Sequence, residues 1–256
     1  MTYQAISYAC SGGVAVITLN RPEVMNALNR AMRGDILDAL TRAATEARVI
    51  VLTGAGRAFS SGQDLGDAGP DVDFAEILRD EYEPMIRAIA DCPVPVIAAV
   101  NGAAAGAGAN LALAADVVIA ADGASFIQAF TRIGLIPDAG GTYWLPRQIG
   151  QARAMGAMLF ADRIGARQAA DWGMIWEAVP DADFTAHWQA RAAALAAGPD
   201  LAFRALKEAL RSSPSNDLDA QLALEARLQG VCGASADFRE GLAAFAEKRP
   251  ARFTGR

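Results

Sequence analysis

Hydrophobic residues over the first 150 positions of the chain follow two alternating patterns. Compact runs rich in valine, isoleucine and alanine predict buried strands, and runs with an apolar residue every three or four positions predict helices. The predicted strands are 14–19, 48–53, 95–100 and 117–121, and the predicted helices are 25–47, 74–91 and one that ends at 111–115. Strands that alternate with helices in this way are typical of an α/β core with crossover connections.

The pattern beyond residue 150 is mainly helical. The predicted helices there are 152–160, 166–172, 183–197, 200–211, 218–230 and 236–247. A polar stretch rich in glycine and aspartate predicts a loop over 59–73 in the first half. We therefore predict an α/β core over residues 1–195 and a helical C-terminal region over 196–256.

Composition narrows the class of protein. The chain has 256 residues, of which 53% are hydrophobic and 20% charged, enough to bury a large core. The net charge of -6 shows no basic excess and argues against a nucleic-acid partner. No apolar run reaches the ~18 residues that a membrane span needs, and the N-terminus lacks the pattern of a secretory signal. Three scattered cysteines predict neither a disulfide framework nor a metal site, so a cytoplasmic protein is expected.

Two glycine-rich loops follow predicted strands and carry candidate chemistry. The first is RAFSSGQDL at 57–65, and the second is VNGAAAGAGANLALAAD at 100–116. Small residues allow a ligand to approach the backbone, and the first amides of a helix have no partner inside it. Two converging backbone donors would form an oxyanion hole. Taken singly, the first loop is also consistent with a surface turn, and the second with tight helix–sheet packing.

The third candidate segment, GLIPDAGGTYWLP at 134–146, places Asp138 ahead of a predicted helix. An aspartate at such a position commonly caps the helix. Beside an oxyanion hole, the same carboxylate could instead move protons, and partial burial would raise its pKa toward neutrality. The sequence alone leaves both interpretations open.

Five further residues bear on the function. The single histidine, His187, is expected to be a surface or satisfied side chain, and Asp116 is expected to bind nearby backbone amides. Tyr82, Phe130 and Trp144 could line an aromatic acyl pocket, although packing in the core explains each of them as well.

The three segments, in this order, resemble the crotonase (enoyl-CoA hydratase/isomerase) superfamily. The stretches VAVITLNRPEVMNAL near the start and FAEKRPARFTG near the end resemble it too. The resemblance implies a spiral of ββα units and C-terminal helices that form a homotrimer or a dimer of trimers. It also implies an acyl-CoA substrate, with no cofactor other than the coenzyme A of that substrate and no metal.

The resemblance assigns site residues by position. The oxyanion amides would be those of Gln63 and Ala107, and Asn110 would line the acyl pocket with the aromatic residues named above. The residues implied to hold coenzyme A are Met25, Ala27, Leu28, Ala58, Asp64, Leu65, Lys248 and Arg249. Lys248 and Arg249 could equally be solvated charges on a terminal helix.

The carboxylates of the family decide the reaction. Hydratases carry two glutamates where this chain has Asn110 and Phe130, and neither of these side chains can serve as a general acid or base. Asp138 matches instead the carboxylate of several isomerases and of a dehalogenase branch. The stretch GLIPDAGGTYWLPR is especially similar to the isomerases that convert 1,2-epoxyphenylacetyl-CoA to oxepin-CoA. We therefore predict that reaction, or the shift of a 3-enoyl-CoA to a 2-enoyl-CoA.

Three other functions stay open at this point. The chain could be a hydratase-like lyase, or an acyl-CoA hydrolase or dehalogenase in which Asp138 is the nucleophile. It could also be a non-catalytic acyl-CoA binder that retains the oxyanion hole.

Overall fold

The computed structural model describes residues 3–66 and 73–255. The strands are β1 (Ile6–Ser11), β2 (Val14–Leu19), β3 (Val49–Gly54), β4 (Ala58–Ser60), β5 (Val96–Val100), β6 (Ala103–Ala105), β7 (Val117–Ala121), β8 (Ser125–Ile127), β9 (Ile164–Gly165) and β10 (Glu177–Val179). The helices are α1 (Arg30–Glu46), α2 (Phe74–Ile77), α3 (Glu83–Ala90), α4 (Ala107–Leu113), α5 (Gly141–Ile149), α6 (Gln151–Phe160), α7 (Ala166–Asp171), α8 (Phe184–Ala196), α9 (Asp200–Ser212), α10 (Leu218–Gly233) and α11 (Ala236–Glu247).

The strands form two sheets. The larger sheet has the order β1-β2-β3-β5-β7-β10 and is parallel except for the β1–β2 hairpin. The smaller sheet has the order β4-β6-β8-β9, with β9 antiparallel. Three consecutive long parallel strands are each followed at once by a short strand of the other sheet, so that β3 leads to β4, β5 to β6 and β7 to β8. The predicted spiral of ββα units is thereby confirmed.

The smaller sheet explains why distant segments meet. Strands β4, β6 and β8 are neighbours and run parallel, so their carboxyl ends lie along one edge. The first glycine-rich loop leaves β4 at this edge, and the second leaves β6. Strand β8 leads there to a short 3-10 helix, Ala129–Ile133, and then to the segment that contains Asp138. Loops at the carboxyl ends of parallel strands are the usual place for a site in such folds.

The core strands of the larger sheet are apolar because both of their faces are covered. Every residue of β5 is buried, and β3 is buried along its first four residues. Helix α1 packs on this sheet with Met32, Ile36 and Leu40 inward.

The start of α1 corrects the prediction of a helix over 25–47. Met25 and Asn26 both have φ of 54°, in the left-handed region, and the helix begins only at Arg30. The Asn26 side chain is fully buried and donates to the carbonyl groups of Ala55 and Ala58. Those bonds hold residues 25–28 as a loop against β4. Asparagine also tolerates the left-handed conformation better than most residues.

The smaller sheet is the other departure from the sequence-based expectation. Residues 58–60 form β4, although the interval 59–73 was predicted to be a loop, and residues 67–72 of that interval lie outside the described residues. The helical prediction for 74–91 is confirmed, but a π-helical turn, Leu78–Tyr82, separates α2 from α3.

The C-terminal helices α9, α10 and α11 leave large apolar side chains exposed. These are Leu206, Leu210, Leu222, Phe238, Leu242 and Phe245. Within the described ranges, no helix combines the length and the apolar character needed to cross a membrane.

Candidate active site

The first glycine-rich loop is held in place by residues 25–28. Ser61 N–H donates to the Met25 carbonyl at 2.9 Å, and Leu28 N–H donates to the Gly62 carbonyl at 2.8 Å. Gly62 has φ of +90°, which favours glycine. The Gln63 amide donates to none of the other described residues. The loop therefore offers one backbone donor for a ligand.

The second loop meets the first at Gly62. A Cβ at Gly62 would lie 2.7 Å from the Ala105 carbonyl oxygen and 3.3 Å from the Ala107 amide nitrogen, so only glycine permits this approach. Ala107 is the first residue of α4, and its amide also donates to no other described residue. The two predicted oxyanion donors, Gln63 and Ala107, are thus next to each other across the contact between β4 and β6.

Asp138 does not cap a helix. The residue before α5 is Gly140, and the buried Asp138 Oδ1 has no hydrogen-bond partner among the described residues. Burial raises the pKa of Asp138 from 3.8 to about 6, against a smaller lowering by the hydrogen bond to its own backbone. Burial raises the pKa of Tyr82, and the negative charge of Asp138 adds to the increase. A carboxyl with these properties can exchange a proton near neutral pH.

Asn110 joins the second loop to the Asp138 segment. The Asn110 Nδ2 donates to the Asp138 carbonyl at 2.8 Å, and Gln128 Nε2 donates to Asn110 Oδ1 at 2.8 Å. Phe130 is buried and its ring would lie 3.7 Å from a Cβ at Gly106. The two positions at which hydratases carry glutamates therefore hold an amide engaged in structural bonds and a buried aromatic ring.

The Gln63 side chain is held by two residues, one of which is itself fixed by an ion pair. Its Oε1 accepts from Tyr82 Oη at 2.6 Å and from Arg33 Nη1 at 3.1 Å. Arg33 is almost fully buried, donates also to the Leu28 carbonyl, and pairs with Glu81 at 2.6 Å. The guanidinium of Arg33 lies 5.0 Å from the centre of the Tyr82 ring. These contacts restrict the backbone position of the first predicted oxyanion donor.

Trp144 is half-buried and its indole Nε1 has no partner among the described residues. The indole lies against Gly140, in the turn that follows Asp138. The structure therefore brings Tyr82, Phe130 and Trp144 to the region of the three converging segments.

The residues predicted to hold coenzyme A fall into two groups. The first group lies along the first loop: Met25 and Leu65 are exposed, whereas Ala27, Leu28 and Ala58 are buried. Buried residues of this kind can contribute backbone contacts only. Asp64 pairs with Arg21 at 2.8 Å, and Arg21 donates to the Ala27 carbonyl at 2.7 Å.

Lys248 and Arg249 form the second group and are exposed at the end of α11. The Arg249 guanidinium pairs with Glu240 and Glu247, and its other bond is to the Pro250 carbonyl. The bonds of Arg249 thus stay inside the C-terminal segment.

Two predictions outside the site are confirmed. His187 Nε2 lies 2.8 Å from Glu177 Oε1, so the histidine is satisfied. Asp116 Oδ2 accepts the Val96 amide at 2.8 Å. Among residues 3–66 and 73–255, no group of three or more histidine, cysteine or acidic side chains could hold a metal ion.

Sequence reasoning missed Arg33, Glu81 and Gln128. Arg33 falls on the apolar face of α1, three residues before Ile36. A charge on that face was a usable sign of a buried ion pair. Gln128 and Glu81 carried no comparable sign, because their roles depend on contacts between distant elements.

Comparisons with known proteins agree with this geometry. Residues 9–256 match the family model described as enoyl-CoA hydratase/isomerase. A Rhodobacter capsulatus protein named "Probable enoyl-CoA hydratase" is 68% identical, and the match covers 100% of both chains. The 1,2-epoxyphenylacetyl-CoA isomerase of Escherichia coli is 46% identical over 95% of this chain and 96% of its own length.

A solved structure of similar fold is the enoyl-CoA hydratase of Bacillus anthracis. It is 34% identical, has a TM-score of 0.92, and the match covers 99% of this chain and 100% of that one. With the ββα spiral, the converging loops and these matches all in agreement, the chain belongs to the enoyl-CoA hydratase/isomerase family.

Proposed function

We propose that this protein is a CoA-thioester isomerase in which Asp138 is the only acid–base residue. The observation that carries the proposal is the Asp138 carboxyl, whose buried Oδ1 has no partner within the described part of the chain and whose pKa is raised to about 6. Asn110 and Phe130, at the two glutamate positions of hydratases, cannot exchange a proton. One carboxylate suffices to move a proton between two carbons, whereas the addition of water by the family's two-glutamate mechanism uses two.

The proposed reaction of a 3-enoyl-CoA begins at C2. The Asp138 carboxylate removes a C2 proton, and the electron pair of that bond forms a dienolate whose negative oxygen accepts hydrogen bonds from the Gln63 and Ala107 amides. The resulting carboxylic acid returns the proton to C4, which leaves the double bond between C2 and C3. Each backbone donor supplies ~3 kcal/mol of stabilisation to such an oxygen, and a general base contributes ~10²–10⁴-fold.

A ring epoxide of phenylacetyl-CoA is the substrate that we place first. The E. coli enzyme named 1,2-epoxyphenylacetyl-CoA isomerase is 46% identical to this chain and supports that choice. In this reaction the bond between the two epoxide carbons breaks and the oxygen enters a seven-membered ring, with no net gain or loss of atoms. The two amides would polarise the thioester while the ring electrons rearrange, and Tyr82, Phe130 and Trp144 supply aromatic walls.

Hydration is the second candidate, because the relative at 68% identity is named a probable enoyl-CoA hydratase. Asp138 would then have to activate water unaided by a second carboxylate. We expect this activity to be minor, because Asn110 and Phe130 supply no second carboxylate. A hydrolase or dehalogenase, with Asp138 as nucleophile, is a further candidate.

The test supplies purified protein with crotonyl-CoA, 3-hexenoyl-CoA and 1,2-epoxyphenylacetyl-CoA. We expect isomerisation of one or both of the last two. For the proton transfer in 3-hexenoyl-CoA, we expect a loss of ~10²–10⁴-fold in kcat for Asp138→Asn. Crotonyl-CoA hydration as the fastest reaction would overturn the proposal. Binding of all three thioesters without turnover would favour a non-catalytic acyl-CoA binder.

Coenzyme A recognition, assembly and cellular location complete the proposal. We place the CoA portion of the substrate along Met25, Ala27, Leu28, Ala58, Asp64 and Leu65, with Lys248 and Arg249 as candidates for its phosphates. We also propose a homotrimer, or a dimer of trimers, formed through the exposed apolar residues of α9–α11. The cytoplasm remains the expected location.

A further inference from the structure

We infer that Asn110 is a positioning residue, which together with Gln128 holds the turn that carries Asp138. The inference rests on the proposed function and deepens it. It gives a role to the residue that stands at a hydratase glutamate position. It also accounts for a fully buried pair of amides within the site that the proton chemistry does not use.

The two hydrogen bonds of the Asn110 side chain each have a fixed direction. The Asp138 carbonyl can only accept, so Asn110 must turn its NH2 group toward it at 2.8 Å. The Asn110 oxygen then faces Gln128, which must present its own NH2 group at 2.8 Å. The chain Gln128–Asn110–Asp138 therefore has a single workable orientation.

The turn that follows Asp138 has an unusual backbone conformation. Ala139 has φ of 48° and Gly140 has φ of 81°, so two successive residues after Asp138 are left-handed. Such a conformation is unfavourable for alanine and persists only where the surroundings enforce it. Besides the Asn110 bond, the Asp138 carbonyl accepts the Gly141 amide at 2.8 Å, which closes the turn.

Asn110 also packs directly against the start of α5. A Cβ at Gly141 would overlap the side-chain amide of Asn110, so the start of α5 is in direct contact with Asn110. The burial that raises the Asp138 pKa depends on this closure, because a turn that opened would admit water to the carboxyl. Asn110 thus acts on Asp138 through the backbone, without touching the reacting atoms.

The test compares Asn110→Ala and Asn110→Asp with the wild type. Gln148→Leu is the matched control, since the Gln148 Nε2 also links α5 to the end of α4, at the Leu113 carbonyl, but is not bonded to Asp138. The two measurements are steady-state kinetics and the pKa of Asp138, followed by NMR in protein labelled with 13C-aspartate. Asp138→Asn identifies the resonance.

We expect kcat to fall by about 10- to 100-fold in both Asn110 variants, with KM changed by less than about 3-fold, because misplacement of a catalytic group costs rate. The Asp138 pKa should move in opposite directions in the two variants. Asn110→Ala admits water and lowers the pKa toward 3.8, whereas Asn110→Asp places a like charge nearby and raises the pKa above 6. The Gln148→Leu control should leave kcat and the pKa unchanged.

An unchanged Asp138 pKa in folded Asn110 variants would overturn the inference, as would an equal effect of Gln148→Leu. If the Asn110 variants do not fold, Gln128→Met removes the second bond of the chain, and a lowered pKa with lowered kcat is expected. The NMR titration needs no turnover. A protein without isomerase activity whose pKa shifts as stated would therefore refute the proposed function and retain the positioning role.

Discussion

At the scale of single residues, Asp138 combines reactivity with a cost in stability. Its Oδ1 is removed from water without a hydrogen-bond partner among the described residues, and burial outweighs the opposing effect of the hydrogen bond to the residue's own backbone. The free energy that disfavours the ionised carboxyl is the same one that makes it a useful base near neutral pH. The stability of the protein should therefore depend on the charge of this one group.

The first prediction is that Asp138→Asn stabilises the protein above about pH 6. The pKa of Asp138 is raised from 3.8 in the unfolded chain to about 6 in the folded one, so folding binds protons between these values. The contribution of this group to stability is therefore fully present below pH 3.8 and is lost as the pH rises through 6. The corresponding gain for the asparagine variant is about 2–3 kcal/mol at pH 8. Urea unfolding at pH 4 and pH 8 measures it, and an equal effect at both values contradicts it.

The second prediction concerns rate. If Asp138 must be ionised to accept a proton, kcat/KM should rise with pH and level off above the folded pKa of about 6. A pH–rate profile on the best substrate checks this. A profile without an inflection between pH 5 and 7 would mean that another group carries the proton.

The third prediction is that Asn26→Ala destabilises the fold by about 3 kcal/mol, since three buried hydrogen bonds are worth ~1 kcal/mol each. The Asn26 side chain accepts from the Arg21 amide and donates to the carbonyl groups of Ala55 and Ala58. Asn29→Ala is the control, because that side chain makes one capping bond, to the Met32 amide. Chemical denaturation compares the two, and similar losses would show that the three bonds carry little weight.

At the scale of elements, the π-helical turn Leu78–Tyr82 brings Glu81 and Tyr82 to α1 and the first loop together. Glu81 fixes Arg33, and Arg33 and Tyr82 both bind the Gln63 side chain. Such turns inside helices are frequent at functional sites. The turn serves here as a support for one proposed oxyanion donor.

The fourth prediction is that Tyr82→Phe lowers kcat by about 10-fold while the protein stays folded, because the loss of one bond loosens a preorganised donor. Steady-state kinetics with the preferred thioester measures the effect. Tyr8→Phe is the matched control, since its hydroxyl binds Glu46 on the surface. A variant with wild-type kcat would show that Arg33 alone holds Gln63.

Most of the long elements could be predicted from the sequence, whereas the short strands of the smaller sheet could not. Strands β2, β3, β5 and β7 are compact apolar runs, and they and the helices predicted after residue 150 agree with the structure to within a few residues. Strand β6 consists of three alanines, whose composition favours a helix, and it is a strand only because β4 and β8 lie on either side. The left-handed turn at Met25 and Asn26 likewise depends on tertiary contacts.

The candidate site shows the same division. The motifs with glycine and aspartate marked three segments, in which the family resemblance assigned Gln63, Ala107 and Asp138, and the structure brings these segments together. The supporting residues Arg33, Glu81 and Gln128 act through partners 18 to 48 positions away. No local pattern encodes such pairs, and the roles assigned to the site residues remain predictions.

At the scale of the whole molecule, the C-terminal region is tied to the core through a partly buried ion pair. Lys207 of α9 binds Asp116 and donates to the Val94 carbonyl at 2.8 Å. Asp116 in turn accepts the amide of Val96, where β5 begins. The other end of β5 leads to the second loop, so the helical region braces the strand that supports the site. The division of the chain at residues 195 and 196 remains a prediction.

The fifth prediction is that Lys207→Met lowers the free energy of unfolding by about 3 kcal/mol, because it leaves a partly buried carboxylate without its main partner. Arg227→Met is the control, since Arg227 and Glu208 form an exposed pair and such pairs are worth less than about 1 kcal/mol. Thermal and urea unfolding of both variants check the difference. Equal losses would show that the pair does not brace the core.

The two proposed oxyanion donors are main-chain groups, and this has a consequence for how the protein can evolve. Proline is the only natural residue without a backbone N–H, so nearly every mutation at positions 63 and 107 preserves the donor itself. By contrast, one codon change at 110, 130 or 138 adds, removes or relocates a proton-transfer group. During evolution, mutations at positions 110, 130 and 138 can therefore change the reaction, while the two backbone N–H groups proposed to polarise the thioester are retained.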